Sequence, residues 1–186
     1  VVSMRQAVLE GRQPIGLTLS KPMTVYVLAQ DAEGGDSVWM TSEPQEICQM
    51  LLPLRAAKGR VLVGGMGLGL MSHFLAQQPK VLSVVTVEKY QDAITLIEPS
   101  IRTGPILHGD LFKHLQALRP GTIDFAFFDI WQGTGEWTWQ TQVVPLRRLA
   151  APKIRLIFCW QEGEMIGQVG SMLWRAADID PSMMEG

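Results

Sequence analysis

Val61-Leu62-Val63-Gly64-Gly65-Met66-Gly67-Leu68-Gly69 is an apolar strand that runs directly into alternating glycines. A parallel strand buried on both faces is a continuous apolar run, and glycines after it let the backbone turn sharply and approach a ligand where a Cβ would clash. The next segment, Leu70-Met71-Ser72-His73-Phe74-Leu75-Ala76, has helical spacing, so its first N–H groups point at whatever the loop holds. The stretch therefore predicts a strand, a cofactor loop and a helix in succession.

Downstream the alternation continues. Strands are expected at Val61–Val63, Val81–Val87, Pro105–Leu107, Ile123–Phe128 and Ile154–Trp160. Between and after them fall helices at Leu68–Gln78, Gln91–Ile97, Leu111–Leu118, Thr141–Leu149 and Glu164–Ala177, with Pro145 interrupting the fourth. Upstream, Thr24–Ala29 and Ser37–Thr41 are two β-type runs around a polar segment with Gly34-Gly35, a hairpin signal. Ser42-Glu43-Pro44-Gln45 then reads as a helix start, with Ser42 as N-cap, Gln45 three residues on as its reciprocal cap, and Ile47, Met50, Leu51 and Leu54 at helical spacing. The pattern predicts an α/β, Rossmann-like, doubly wound and mostly parallel sheet of about five strands with helices on both faces, preceded by a β-hairpin. Residues 1–57 form the hairpin and helix, 58–177 the cofactor-binding part and 178–186 a tail, in one compact domain overall.

Composition narrows the function. The 186 residues carry a formal charge of −2, and Arg147-Arg148 is the only adjacent basic pair, so no basic stripe argues for nucleic acid. Cys48 and Cys159 are isolated and fall in a predicted helix and an apolar strand, which reads as reduced thiol and a cytoplasmic location. No run reaches the ~18 apolar residues of a membrane span, and no signal-peptide pattern opens the sequence. The ten methionines read as core filling, and no metal site is expected.

In an open α/β sheet, ligands sit at the carboxyl ends of the strands. Here those ends carry Gly65-Met66-Gly67-Leu68-Gly69, then Glu88, then His108-Gly109-Asp110, then Asp129. Glu88 lies about twenty residues beyond the loop, where an acid can accept hydrogen bonds from a ribose diol. The dinucleotide fingerprint needs glycine or alanine where Leu70 stands, which disfavours NAD.

Together, VLVGGMGLG at 61–69, VTVEK at 85–89, HGDLF at 108–112 and FAFFDIW at 125–131 resemble the class I S-adenosylmethionine-dependent methyltransferases, within them the spermidine-synthase-like branch. Val63, where most methyltransferases have an acid, and a hairpin followed by a helix bearing Glu43 and Glu46 are similar to that branch. The resemblance implies S-adenosylmethionine as cofactor and S-adenosylhomocysteine as product. It implies that Gly65, Gly67 and Gly69 border the methionine part and ribose, that Glu88 binds the ribose hydroxyls, and that Met66 and Lys89 also belong to the cofactor site. Asp110 and Leu111 would meet the adenine, and Asp129 would face the cofactor's amino group or act on the acceptor as the catalytic residue. Where spermidine synthases carry D-S-x-D-P, this chain has Asp129-Ile130-Trp131-Gln132-Gly133, without the second acid. A methyltransferase with a small-molecule acceptor is thus expected, ahead of an aminopropyltransferase or a non-catalytic S-adenosylmethionine-binding protein. The family's closing antiparallel strand pair is expected to be missing, and a homodimer or the hairpin is expected to cover the sheet edge.

Outside the motifs, Trp131 and Trp137 flank Gln132–Glu136 and read as a lid over the substrate, while Trp139 and Trp160 read as core. His73 and His114 read as structural or solvated, and His108 as a proton-handling candidate near the cofactor.

Overall fold

The computed structural model describes residues 24–30, 37–97, 101 and 104–176. The hairpin turn at 31–36 and the tail at 178–186 lie outside the described residues.

Two strands, β1 (Val27–Gln30) and β2 (Ser37–Thr41), pair antiparallel. Helix α1 (Pro44–Ala56) follows. Next come β3 (Gly59–Gly64), α2 (Leu70–Ala76), β4 (Val81–Glu88), α3 (Gln91–Leu96), β5 (Ile106–His108), α4 (Leu111–Ala117) and β6 (Ile123–Phe128). A short α5 (Glu136–Thr138) leads through a π-turn (Trp139–Val143) into α6 (Val144–Ala150), then β7 (Ile154–Cys159) and α7 (Glu162–Ala176). The order β5-β4-β3-β6-β7, parallel at every pairing, makes this an α/β Rossmann-like fold. Strand order reverses between β3 and β6, and the crevice above such a reversal is where ligands bind.

Alternation along the strands divides the core into two layers. Leu62, Ala126, Phe128, Ile157 and Cys159 pack with Leu111 and Leu115 of α4, Leu146 and Ala150 of α6 and Met165 of α7. Val61, Val63, Val84, Phe125 and Phe127 face the other way, onto Met50 and Leu54 of α1 and Met71 and Leu75 of α2. Val61, Leu62 and Val63 are essentially inaccessible to solvent, as a central strand covered on both faces requires.

Three local readings are corrected. Ser42 is not the N-cap of α1. Glu43 holds that position without a side-chain bond, while Ser42 Oγ accepts the Tyr26 N–H at 2.8 Å. Glu46, not Gln45, reaches back from the first turn, accepting from the Thr41 N–H at 2.6 Å and the Thr41 hydroxyl at 3.0 Å. Pro145 does not interrupt its helix: it stands in the first turn of α6, directly after the π-turn. There the missing N–H is least costly.

Candidate functional site

A cavity of about 570 Å³ opens at the carboxyl ends of the strands, a volume typical of small-molecule sites. It is lined by Gly65, Met66 and Gly67 after β3, Glu88 and Lys89 after β4, Asp110 and Leu111 after β5, and Asp129 and Trp131 after β6. Chain order thus converges there because every parallel strand delivers its end to the same side. Gly69 does not line the cavity. It caps α2 in the left-handed conformation, with a φ of 75°. Trp137 lies outside the lining and is 70% exposed on α5.

Four N–H groups of the glycine loop are bonded within the protein. Gly65 N–H bonds the Val87 carbonyl at 2.9 Å, and Gly69 N–H bonds the Met66 carbonyl at 2.8 Å. Met66 N–H donates to Glu88 Oε2 at 2.8 Å, and Leu68 N–H to Met40 Sδ at 3.2 Å. The other Glu88 oxygen accepts Tyr90 N–H at 2.8 Å, so one buried carboxylate ties together the turns after β3 and β4. Gly65 has a φ of 85°, and a Cβ there would overlap the Asp129 carbonyl oxygen across the reversal point. Only glycine serves at that position.

Asp110 is the N-cap of α4, accepts the Lys113 N–H at 3.1 Å on Oδ1, and lines the cavity. Burial pushes the Asp129 carboxyl up to about 7, and the negative charge of Glu46 adds to the rise. Lys89 Nζ lies 5.7 Å over the Tyr90 ring. Four carboxylates line the cavity, from Glu88, Asp92, Asp110 and Asp129, against the single ammonium of Lys89.

The remaining aromatic and imidazole groups fall into place around this frame. Trp131 is buried at 4% exposure, and its indole N–H has no hydrogen-bond partner among the described residues. Trp139 packs against the α4–α6 layer of the core, and Trp160 touches both layers, meeting Phe127 edge-on at 6.4 Å. His108 lies outside the lining, and its Nε2–H donates to the Lys89 carbonyl at 3.1 Å. His73 is half-buried with Nδ1 unpartnered among the described residues, and His114 is half-buried in the last turn of α4. Cys48 and Cys159 are free thiols, and burial pushes Cys159 up to about 12.

The hairpin and α1 supply a further wall, whose individual residues the sequence did not single out. Leu28, Ala29, Trp39, Met40 and Met50 all line the cavity. Trp39 meets Tyr90 edge-on at 5.7 Å, linking the hairpin to the turn after β4. Nothing in the spacing of Trp39 and Met40 along β2 indicated a ligand. Among the described residues no group of three or more His, Cys, Asp or Glu is placed to hold a metal ion, and no helix is long and apolar enough to cross a membrane.

No protein-family model matches the chain, and no curated protein does. Among solved structures the chain is similar to the crystal structure of MnmC2 from Aquifex aeolicus, at 17% identity and a TM-score of 0.34. That likeness covers 57% of this chain and 43% of that one, so this chain spans less than half of its length.

Proposed function

We propose that this chain is an S-adenosylmethionine-dependent transferase, most simply a methyltransferase, in which Asp129 takes the acceptor's proton. The observation that carries the reading is the donor and charge accounting of the cavity. A phosphate-bearing dinucleotide needs free loop N–H groups and tolerates few carboxylates. Here the N–H groups of Gly65, Met66, Leu68 and Gly69 are already bonded, and four carboxylates face one ammonium. A ligand with hydroxyls, an amino group and a net positive centre fits such a rim.

Bound there, S-adenosylmethionine would supply a methyl carbon activated by its sulfonium sulfur. Glu88 has further lone pairs for the ribose hydroxyls while it holds Met66 and Tyr90 in place. Asp110 offers its carboxylate to an adenine amino group, and Gly65 and Gly67 allow close approach. Asp129, pushed up to about 7 by burial and by Glu46, is a stronger base than an ordinary carboxylate and so suited to accept one proton from an acceptor nitrogen or oxygen.

Titration calorimetry with S-adenosylmethionine, S-adenosylhomocysteine and NAD tests the reading. Both sulfur nucleosides should bind and NAD should not; the reverse order of affinity would sink it. Glu88→Ala should weaken S-adenosylhomocysteine binding by about ten-fold, the worth of one charged hydrogen-bonding partner. Unchanged affinity would remove Glu88 from the ribose.

A further inference from the structure

A second cavity, of about 540 Å³, lies at the amino ends of the strands, at the opposite end of the sheet from the first. Lys58 before β3, Lys80 before β4 and Arg155 in β7 line it, with Asp124 of β6 as the carboxylate. No basic run in the sequence announces this cluster, because its members meet only through the strand order β4-β3-β6-β7. Leu82, Phe125 and Leu156 complete the lining, and the strand register puts all three on the sheet face that α1 and α2 cover further along. At this end that cover stops: Leu82 is 80% exposed and Leu156 38%. The result is an apolar shelf rimmed by cations. Other cations nearby serve the fold itself. Lys153 Nζ donates to the Leu115 and Gln116 carbonyls at 2.6 and 2.8 Å, satisfying the carboxyl end of α4. Arg60 pairs with Asp124 at 2.9 Å and donates to the Gly121 carbonyl at 2.7 Å, so the charge of the lining carboxylate is already matched. The Lys58 and Lys80 side chains make no hydrogen bond or ion pair among the described residues, and Arg155 acts on Asp124 through its charge alone.

We propose that this second cavity binds an organic polyphosphate, whose phosphates are held by Lys58, Lys80 and Arg155 and whose organic part rests on Leu82 and Leu156. Three cations crowded at one cavity repel one another, in a chain whose formal charge is −2, and an anion seated among them relieves that repulsion. Phosphate suits the set, since lysine serves it as a point charge and arginine as a two-pronged donor. An inorganic anion would leave the leucine shelf in water. An organic body attached to the phosphates covers it, and the cavity has the volume of a small-molecule site. The inference stands apart from the S-adenosylmethionine reading, which concerns the other end of the sheet.

Titration calorimetry of the full chain with uridine triphosphate, inorganic triphosphate and a short RNA duplex tests the proposal. Uridine triphosphate should bind about ten-fold tighter than inorganic triphosphate, the difference coming from the shelf. A variant combining Lys58→Gln, Lys80→Gln and Arg155→Gln should lose about ten-fold or more in affinity for uridine triphosphate. The control combines Arg55→Gln, Arg119→Gln and Arg148→Gln, an equal change of charge at arginines outside the cavity lining, and should hold the parent's affinity within about two-fold. All six side chains are exposed, so both variants should melt with the parent. No binding of uridine triphosphate, inorganic triphosphate binding as tightly, or equal losses in the two variants each overturns the proposal. The RNA duplex binding more tightly than uridine triphosphate, and losing affinity in the first variant, would assign the cations to a nucleic-acid backbone and overturn the small-ligand class.

Discussion

Asp129 is an acid at the cavity whose ionisation opposes folding. Its carboxyl titrates near 7 in the folded chain, against an ordinary value of 3.8, because burial and Glu46 disfavour the charged form. The folded state therefore holds this proton more tightly than the unfolded chain does. Its contribution is neutral below about pH 4, turns against folding as pH climbs to about 7, and is flat above that. Asp129→Asn should remove that slope and raise stability at pH 8 by an amount on the order of a few kcal/mol. Thermal melts from pH 4 to 8 read it directly, and a slope unchanged in the variant would assign it elsewhere. Gly65 gives the complementary prediction. With a φ of 85° and the Asp129 carbonyl where its Cβ would stand, Gly65→Ala should cost about 3 kcal/mol in denaturant unfolding. These two residues were legible in the sequence, because a glycine after an apolar strand and an acid at the end of Phe125-Ala126-Phe127-Phe128 both need a reason to be there. The titration of Asp129 was not legible, since Glu46 approaches it only through the fold.

At the scale of elements, the hairpin has more to do than the sequence indicated. Its Met40 sulfur accepts the Leu68 N–H, and Met40 is packed with Val63 and Met71 in the core. Met40→Ala should cost about 2 kcal/mol and open the Leu68 amide to solvent. Faster hydrogen exchange across residues 61–76 would report it, and unchanged protection there would detach the hairpin from the loop. The strands and most helices were readable because period and composition are local properties. Element ends were less so: β1 begins at Val27 rather than Thr24, and α7 at Glu162 rather than Glu164. The π-turn at Trp139–Val143, which carries buried Val143 and ends just before Pro145, was invisible because its residues have the same apolar spacing as an α-helix. The indoles also divided. Trp131 and Trp137 looked alike beside one glycine loop, yet one is buried and the other exposed, a difference set by the path of the chain through α5.

For the whole molecule, the parallel sheet fixes where the site is and leaves β7 paired only with β6 among the described residues. Arg147 reaches that strand, donating to the Ile157 carbonyl at 3.1 Å while it pairs with Glu162 at the start of α7. A charged group on an outer strand discourages pairing with another chain. Arg147→Ala should therefore destabilise the fold by about 2 kcal/mol, with Glu162 left half-desolvated and unpaired, and should increase association seen by light scattering. A variant as stable and as dispersed as the parent would contradict both parts. The switch point was legible from strand-helix alternation, whereas the closing contact was not, because Arg147 and Ile157 are separated by a turn and a strand start that carry no pairing signal. The bonded glycine loop also bears on redesign. In any redesign of the cavity for a phosphate-bearing ligand, the amides of Met66 and Leu68 could be freed only by giving up their contacts with Glu88 and Met40. Those two residues tie the loop to β4 and to the hairpin, so altered ligand choice would have to be compensated by new anchors elsewhere.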